Sequence, residues 1–199
     1  MIDIYSKRDV IGKLQQTKYK LNNWQNLINE AAYSHTSKKY LSSLVKGLEK
    51  IDKDKRFFLA RHYLQTGKRR VDADIAQELG MEKKEYSSTR KAIEKELHPH
   101  VNYYDQQANF REYVVRFNNE VHSLNERIKF RKLIHSTSGI EWFNYEIRDD
   151  FKHLLSRISY LDALTEWLEI DFDAKAVARE TIKEYDELFS AIDYENKEL

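Results

Sequence analysis

The residues best suited to do chemistry in this sequence are gathered between positions 83 and 91: Lys83, Lys84, Ser87, Ser88, Arg90 and Lys91. Their chemistry is ion pairing and hydrogen bonding to a polyanion. Lys and Arg reach guanine edges or phosphate oxygens, and Ser hydroxyls bond to several bases or to phosphate. Just upstream, Lys68-Arg69-Arg70 forms a short basic loop that would meet a phosphate backbone beside a groove. Six such phosphate contacts would make binding steeply salt-dependent. Glu82 and Glu85 stand at the same helix start, where they suit the helix dipole and would repel phosphate. The plain alternative is a solvated basic helix used in protein contacts.

Other constellations carry less. His98-Pro99-His100 lacks the three or four convergent ligands that a metal needs, and reads as a linker. His122, His135 and His153 have no partner histidine one helical turn away and read as surface residues. Asp149-Asp150 lies beside an apolar seam. Asp171-Phe172-Asp173 lies at a helix start, where acids act as caps. There is no phosphate loop, nucleophile elbow or dinucleotide fingerprint. No catalytic residue, metal site or cofactor is therefore expected, and the chain reads as a non-enzyme.

The elements that would position the basic group are helical. Val10, Leu14, Leu21, Trp24, Ile28 and Ala31 keep helical spacing over about residues 6–33, with Ser6 and Asp9 as a capping-box variant. A second helix spans about 37–51 and is interrupted mildly by Gly47. A third begins near Asp52, holds Phe57, Phe58, Ala60, Tyr63 and Leu64, and stops at Gly67. Residues 71–80 form a short helix closed by Gly80, which supplies a left-handed turn. Residues 83–97 form the next helix, with Tyr86, Thr89, Ile93 and Leu97 facing inward. Ile75, Ala76 and Leu79 would pack on it. Two short helices about a glycine turn are the sequence form of a helix-turn-helix, here over about 71–97. Pro99 should end the second near Leu97 and place a domain boundary at 98–104.

Beyond the boundary, Phe110, Val114, Phe117, Val121, Leu124 and Ile128 step by four and three. Ile147, Phe151, Leu154, Ile158 and Leu161 do the same. The turn at 136–139 makes these an antiparallel hairpin. A last helix, about 173–193, offers Val177, Ala178, Ile182, Tyr185, Leu188, Phe189 and Ile192 and closes a three-helix bundle. The expected fold is all-α: a basic helix-turn-helix domain over 1–98, then an acidic antiparallel bundle over 104–199.

Charge and composition agree with two modules. Residues 1–100 carry 21 Lys/Arg against 13 Asp/Glu, a net of +8; residues 101–199 carry 13 against 20, a net of −7. A basic half joined to an acidic half suggests one polyanion-facing module and one with another task. One Pro and five Gly argue against a turn-rich β fold, and the absence of Cys fits a reducing compartment. No apolar run is long enough to span a membrane, and the start of the chain lacks the apolar core of a signal peptide, so a cytoplasmic location is expected. A thin bundle cannot bury every aromatic of the second half. Trp142, Tyr145, Tyr160 and Trp167 are therefore candidates for a partner or dimer surface.

The run from Leu48 to Leu64, followed by Ile75-Ala76-x-x-Leu79-Gly80, resembles the phage transcriptional regulators of ArpU and RinA type, whose helix-turn-helix is like region 4 of sigma factors. The resemblance covers about residues 40–97. Glu82 stands where the family's recognition helix usually opens on Ser, and Ile93-Glu94 where it usually has Ala-Leu. The resemblance implies a sequence-specific regulator on double-stranded DNA; the split charge and the heptads add the expectation that the second half forms a homodimer or contacts a host protein such as RNA polymerase. The alternative is a phage-type inhibitor or adaptor, such as an anti-CRISPR protein, whose acidic half binds a host protein.

Overall fold

The computed structural model describes residues 10–65, 70–134 and 140–195. The expectations placed on Ser6 and Asp9, Gly67, Lys68, Arg69, His135 and the 136–139 turn lie outside the described residues. Every regular element among them is helical, in the order α1 (Leu14–Asn22), α2 (Trp24–Glu30), α3 (His35–Leu48), α4 (Lys53–Tyr63), α5 (Asp72–Glu78), α6 (Lys83–Leu133), α7 (Ile140–Leu168) and α8 (Ala174–Glu195). No strand occurs among the described residues. By their internal contacts the residues fall into two units, one over Ile11–Asn109 and one that holds the chain from Phe110 onward.

Two sequence expectations are corrected. The helix over 6–33 is two helices, broken at Asn23 (φ −102°, ψ 10°). There the Asn22 and Asn23 side-chain amides donate to the Lys18 and Tyr19 carbonyls at 2.9 and 2.8 Å. Short amides compete for backbone partners in this way and weaken a helix from within.

The larger correction concerns Pro99. It does not end a helix near Leu97; it lies inside α6, which runs on for 51 residues. The division between units consequently falls after Asn109 rather than at 98–104. The physical reason is what flanks the proline. Ile93, Leu97 and Val101 form an unbroken buried row at four-residue spacing. His98 Nε2 donates to the Gly12 carbonyl at 2.7 Å, and its Nδ1 pairs with the Thr17 hydroxyl at 2.8 Å. Asn102 Oδ1 accepts from Gly12 N at 3.1 Å. Pro99 itself is exposed, so the carbonyl that it leaves unbonded faces water. His98 is thus a helix residue that fastens the segment before α1, and not part of a linker.

The first unit is built on Leu21, Trp24, Leu44, Leu48, Leu59, Tyr63 and the Ile93–Leu97–Val101 row. Ser34 caps α3 by accepting from Ser37 N at 3.2 Å. A lysine is buried here. Lys20 is 3% exposed and ion-paired to Asp105, with Ser43 Oγ at 3.1 Å. Burial, assisted by the Lys39 cation, lowers its pKa to about 7.

In the second unit the α7 seam is buried as its spacing requires, at Ile147, Phe151, Leu154, Ile158 and Leu161; the α6 seam is buried at Phe117, Val121, Leu124 and Ile128, and its first two members, Phe110 and Val114, are only half-buried. Arg131 to Asn144, Arg127 to Glu146 and Arg157 to Glu120 pair α6 with α7 in opposite directions. Asp173 Oδ1 caps α8 through Ala176 N at 2.8 Å, the capping role expected of that acid. Phe151 stacks on Tyr185 at 3.6 Å. Val177, expected on the inner face of α8, is exposed; Thr181 takes the inward place and donates to the Val121 carbonyl.

Candidate nucleic-acid interface

The start of α6 is held by the helix before it. Met81 N and Leu79 N both donate to the Ala76 carbonyl, closing α5, and Gly80 turns with φ +64°. A side chain would be strained at that φ, whereas glycine is not. Tyr86, fully buried, then packs with Ile75 and Ala76, and Phe58 of α4 closes the cluster at 5.0 Å between ring centres. The Tyr86 hydroxyl pairs with His62 Nδ1 at 3.0 Å. Burial, reinforced by the Asp72 carboxylate, pushes the Tyr86 phenol up to about 12.

With the inner side fixed by Tyr86, Ile93 and Leu97, the helical period decides what faces outward. Lys83, Lys84, Ser87, Ser88 and Lys91 fall within an arc of about 140°. Lys83, Lys84, Ser88 and Lys91 are exposed and Ser87 is half-buried. No ion pair engages these three lysines among the described residues. Ser88 Oγ donates to the Glu85 carbonyl at 2.8 Å and keeps its lone pairs outward. Lys95, also exposed, continues the arc one turn beyond Lys91. It was passed over in the sequence because the helix was expected to end beside it; its four-residue step from Lys91 was the available signal. Glu82 and Glu85 are exposed at the margins of the arc.

Arg90 is corrected: it does not face outward with the lysines. Its guanidinium pairs with Asp72 at 3.1 Å and with Glu94 at 3.2 Å, and it donates to the Tyr63 hydroxyl at 3.3 Å. Glu94 is 1% exposed and accepts from the Tyr63 hydroxyl at 2.5 Å. Burial opposes the Arg90 charge, but Tyr63, Glu94 and Asp72 outweigh it and hold its pKa above the ordinary value. Burial and Glu94 likewise raise the Tyr63 phenol. Arg90 is the counter-charge of a buried carboxylate and a tie between α5 and α6. Arg70, the described member of the upstream basic run, pairs with Glu78.

The partner candidates divide. Trp142 and Tyr145 are 65% and 67% exposed, one turn apart at the start of α7. Phe130 and Leu133 are exposed near the end of α6, and Phe130 meets Phe143 edge-on at 6.2 Å. Tyr160 and Trp167 are half-buried instead, Tyr160 lying edge-on to Tyr113 at 6.4 Å. They serve the interior of the unit more than its surface.

Among the described residues no three His, Asp or Glu side chains converge on a point that could hold a metal ion. No helix among them is long and apolar enough to cross a membrane. His122 and His153 are exposed. No family model, curated protein or solved structure matches the chain.

Proposed function

We propose that the chain is a sequence-specific DNA-binding regulator of phage or mobile-element type, reading duplex DNA with a helix-turn-helix made of α5, the Gly80 turn and the start of α6. The observation that carries this reading is the outward arc of α6. Among the described residues Lys83, Lys84 and Lys91 have no ion pair; they stand beside Ser87 and Ser88, on a helix start whose opposite side is locked by Tyr86. In such a motif the early exposed side chains of the second helix reach base edges in the major groove, and flanking cations meet phosphates. Lys84, Ser87 and Ser88 are assigned to base edges. Lys83, Lys91, Lys95 and Arg70 are assigned to phosphates, as are Lys68 and Arg69 on the strength of the sequence alone.

The second unit is assigned to protein contact, through Trp142 and Tyr145, either with a second copy of the chain or with a host protein such as RNA polymerase. Large exposed aromatics are the usual anchors of such surfaces. The same aromatics favour the second reading, an inhibitor or adaptor directed at a host protein and located, like the regulator, in the cytoplasm.

Selection from a randomised duplex library with the intact chain separates the two readings. A regulator enriches one sequence, and a dimer enriches two half-sites about one helical turn apart. A library that stays random through selection would remove the sequence-specific reading and favour the inhibitor.

A further inference from the structure

Outside the basic arc, the first unit holds a groove of about 430 Å³ between α3 and α4. Its wall is apolar: Trp24, Val45, Leu48, Phe57, Ala60 and Leu64. Phe57 is 60% exposed, a costly position for so large a ring unless something covers it. Three charged residues, Glu49, Lys53 and Arg56, stand around the wall.

Lys55, between Lys53 and Arg56 in sequence, is paired with Asp52 and Glu96. Lys53 Nζ lies 5.6 Å from the centre of the Phe57 ring, and neither Lys53 nor Arg56 has an ion pair among the described residues. Arg56 Nε is also shut off from water with no hydrogen-bond partner. That buried nitrogen is closed to the groove, so the terminal nitrogens of the guanidinium are the ones that can meet an occupant, and a carboxylate is the group that matches their geometry. Two cations against the one carboxylate of Glu49 leave a single positive charge, which suits a monoanion and disfavours a dianion. The volume falls in the range of small-molecule sites.

We infer that this groove binds a small amphipathic monocarboxylate, its apolar body along Trp24, Phe57 and Leu64 and its carboxylate on Arg56, with Lys53 alongside. The site shares α4 with the proposed DNA-binding motif, because Phe58, on the other side of the same helix, packs in the Ile75–Ala76–Tyr86 cluster.

The test uses the intact chain and three ten-carbon probes: decanoate, 1-decanol and decylamine. The readout is the indole N–H resonance of Trp24, with those of Trp142 and Trp167 as internal controls. Decanoate should shift the Trp24 resonance saturably, at least tenfold more tightly than either other probe. Arg56→Gln should weaken decanoate about tenfold and leave 1-decanol unchanged. Ala60→Phe, which fills the groove, should abolish binding; a native-like helical circular dichroism and a dispersed Trp24 indole resonance in the ligand-free variants show that the first unit is folded. Equal binding of decanoate and decylamine, undiminished decanoate binding by Arg56→Gln, or no shift of Trp24 at saturating decanoate would overturn the inference.

Discussion

Gly47 of α3 lies so close to Val101 of α6 that a β-carbon at Gly47 would stand 2.6 Å from Val101 Cγ2 and 2.9 Å from the Val101 backbone nitrogen. What reads in the sequence as a mild interruption of α3 is the point at which two helices meet. Alanine would favour the helix by about 1 kcal/mol. Overpacking against a backbone atom, which cannot rotate aside, costs about 1–3 kcal/mol. Gly47→Ala should therefore lower stability by up to about 2 kcal/mol, measured from the urea midpoint at constant slope. A stabilised variant would mean that the helices stand further apart.

Pro99 makes the opposite prediction. It sits exposed within a continuous helix, where its ring and missing N–H cost about 3 kcal/mol relative to alanine. Pro99→Ala should raise stability by roughly 1–3 kcal/mol. If α6 were instead two helices joined at His98-Pro99-His100, the same change would have little effect or would destabilise.

Arg90 separates a folding role from a binding role. Removing it leaves Glu94, 1% exposed, without its guanidinium. Breaking one side of a buried pair costs about 3–5 kcal/mol when the charge left behind is uncompensated, and Lys18, 3.5 Å from Glu94, offsets part of that. Arg90→Gln should lose much of that in thermal or urea unfolding, and the double variant Arg90→Met/Glu94→Leu should recover most of it. Duplex affinity, measured at low temperature where the variants are folded, should change less than twofold. A large loss of affinity with unchanged stability would return Arg90 to the DNA surface.

The buried phenols set the alkaline limit. The folded pKa of Tyr86 is pushed up to about 12, and that of Tyr63 is also raised, whereas an unfolded tyrosine titrates near 10. Above pH 10 the unfolded chain has released protons that the folded chain retains. The contribution of these groups is thus fully present below pH 10 and is lost as pH rises toward 12. Urea midpoints should be level in this respect up to about pH 10 and then fall. Tyr86→Phe or Tyr63→Phe should flatten the decline, and an unchanged slope in both variants would show that other groups govern it.

Much of this was legible in the sequence wherever a single period governs a segment. The seams Phe117–Ile128 and Ile147–Leu161 are buried at the positions that their four-and-three spacing requires. Tyr86, Ile93 and Leu97 face inward for the same reason. The misses came where a distant contact outweighed a local preference. Pro99 favours a helix end, yet the buried row from Ile93 to Val101 and the bonds of His98 to Thr17 and Gly12 hold the helix together, and Thr17 and Gly12 lie 81 and 86 residues from His98 in sequence. Arg90 reads as one more exposed cation because its partners, Asp72 and Tyr63, lie 18 and 27 residues away. The carboxylate groove was not legible at all, since Trp24, Val45 and Phe57 come from three helices.

The central claim is that the outward arc of α6 holds duplex DNA. Its most direct test is fluorescence anisotropy of a labelled duplex with the intact chain, titrated across salt from about 50 to 200 mM, for the native chain and for Lys83→Gln/Lys84→Gln/Lys91→Gln. The account predicts tight binding at low salt, a steep fall with salt, and a slope of log affinity against log salt reduced by about 0.9 for each removed lysine that met a phosphate. Identical affinity and slope in the two proteins, or no binding by the native chain at the lowest salt, would contradict it.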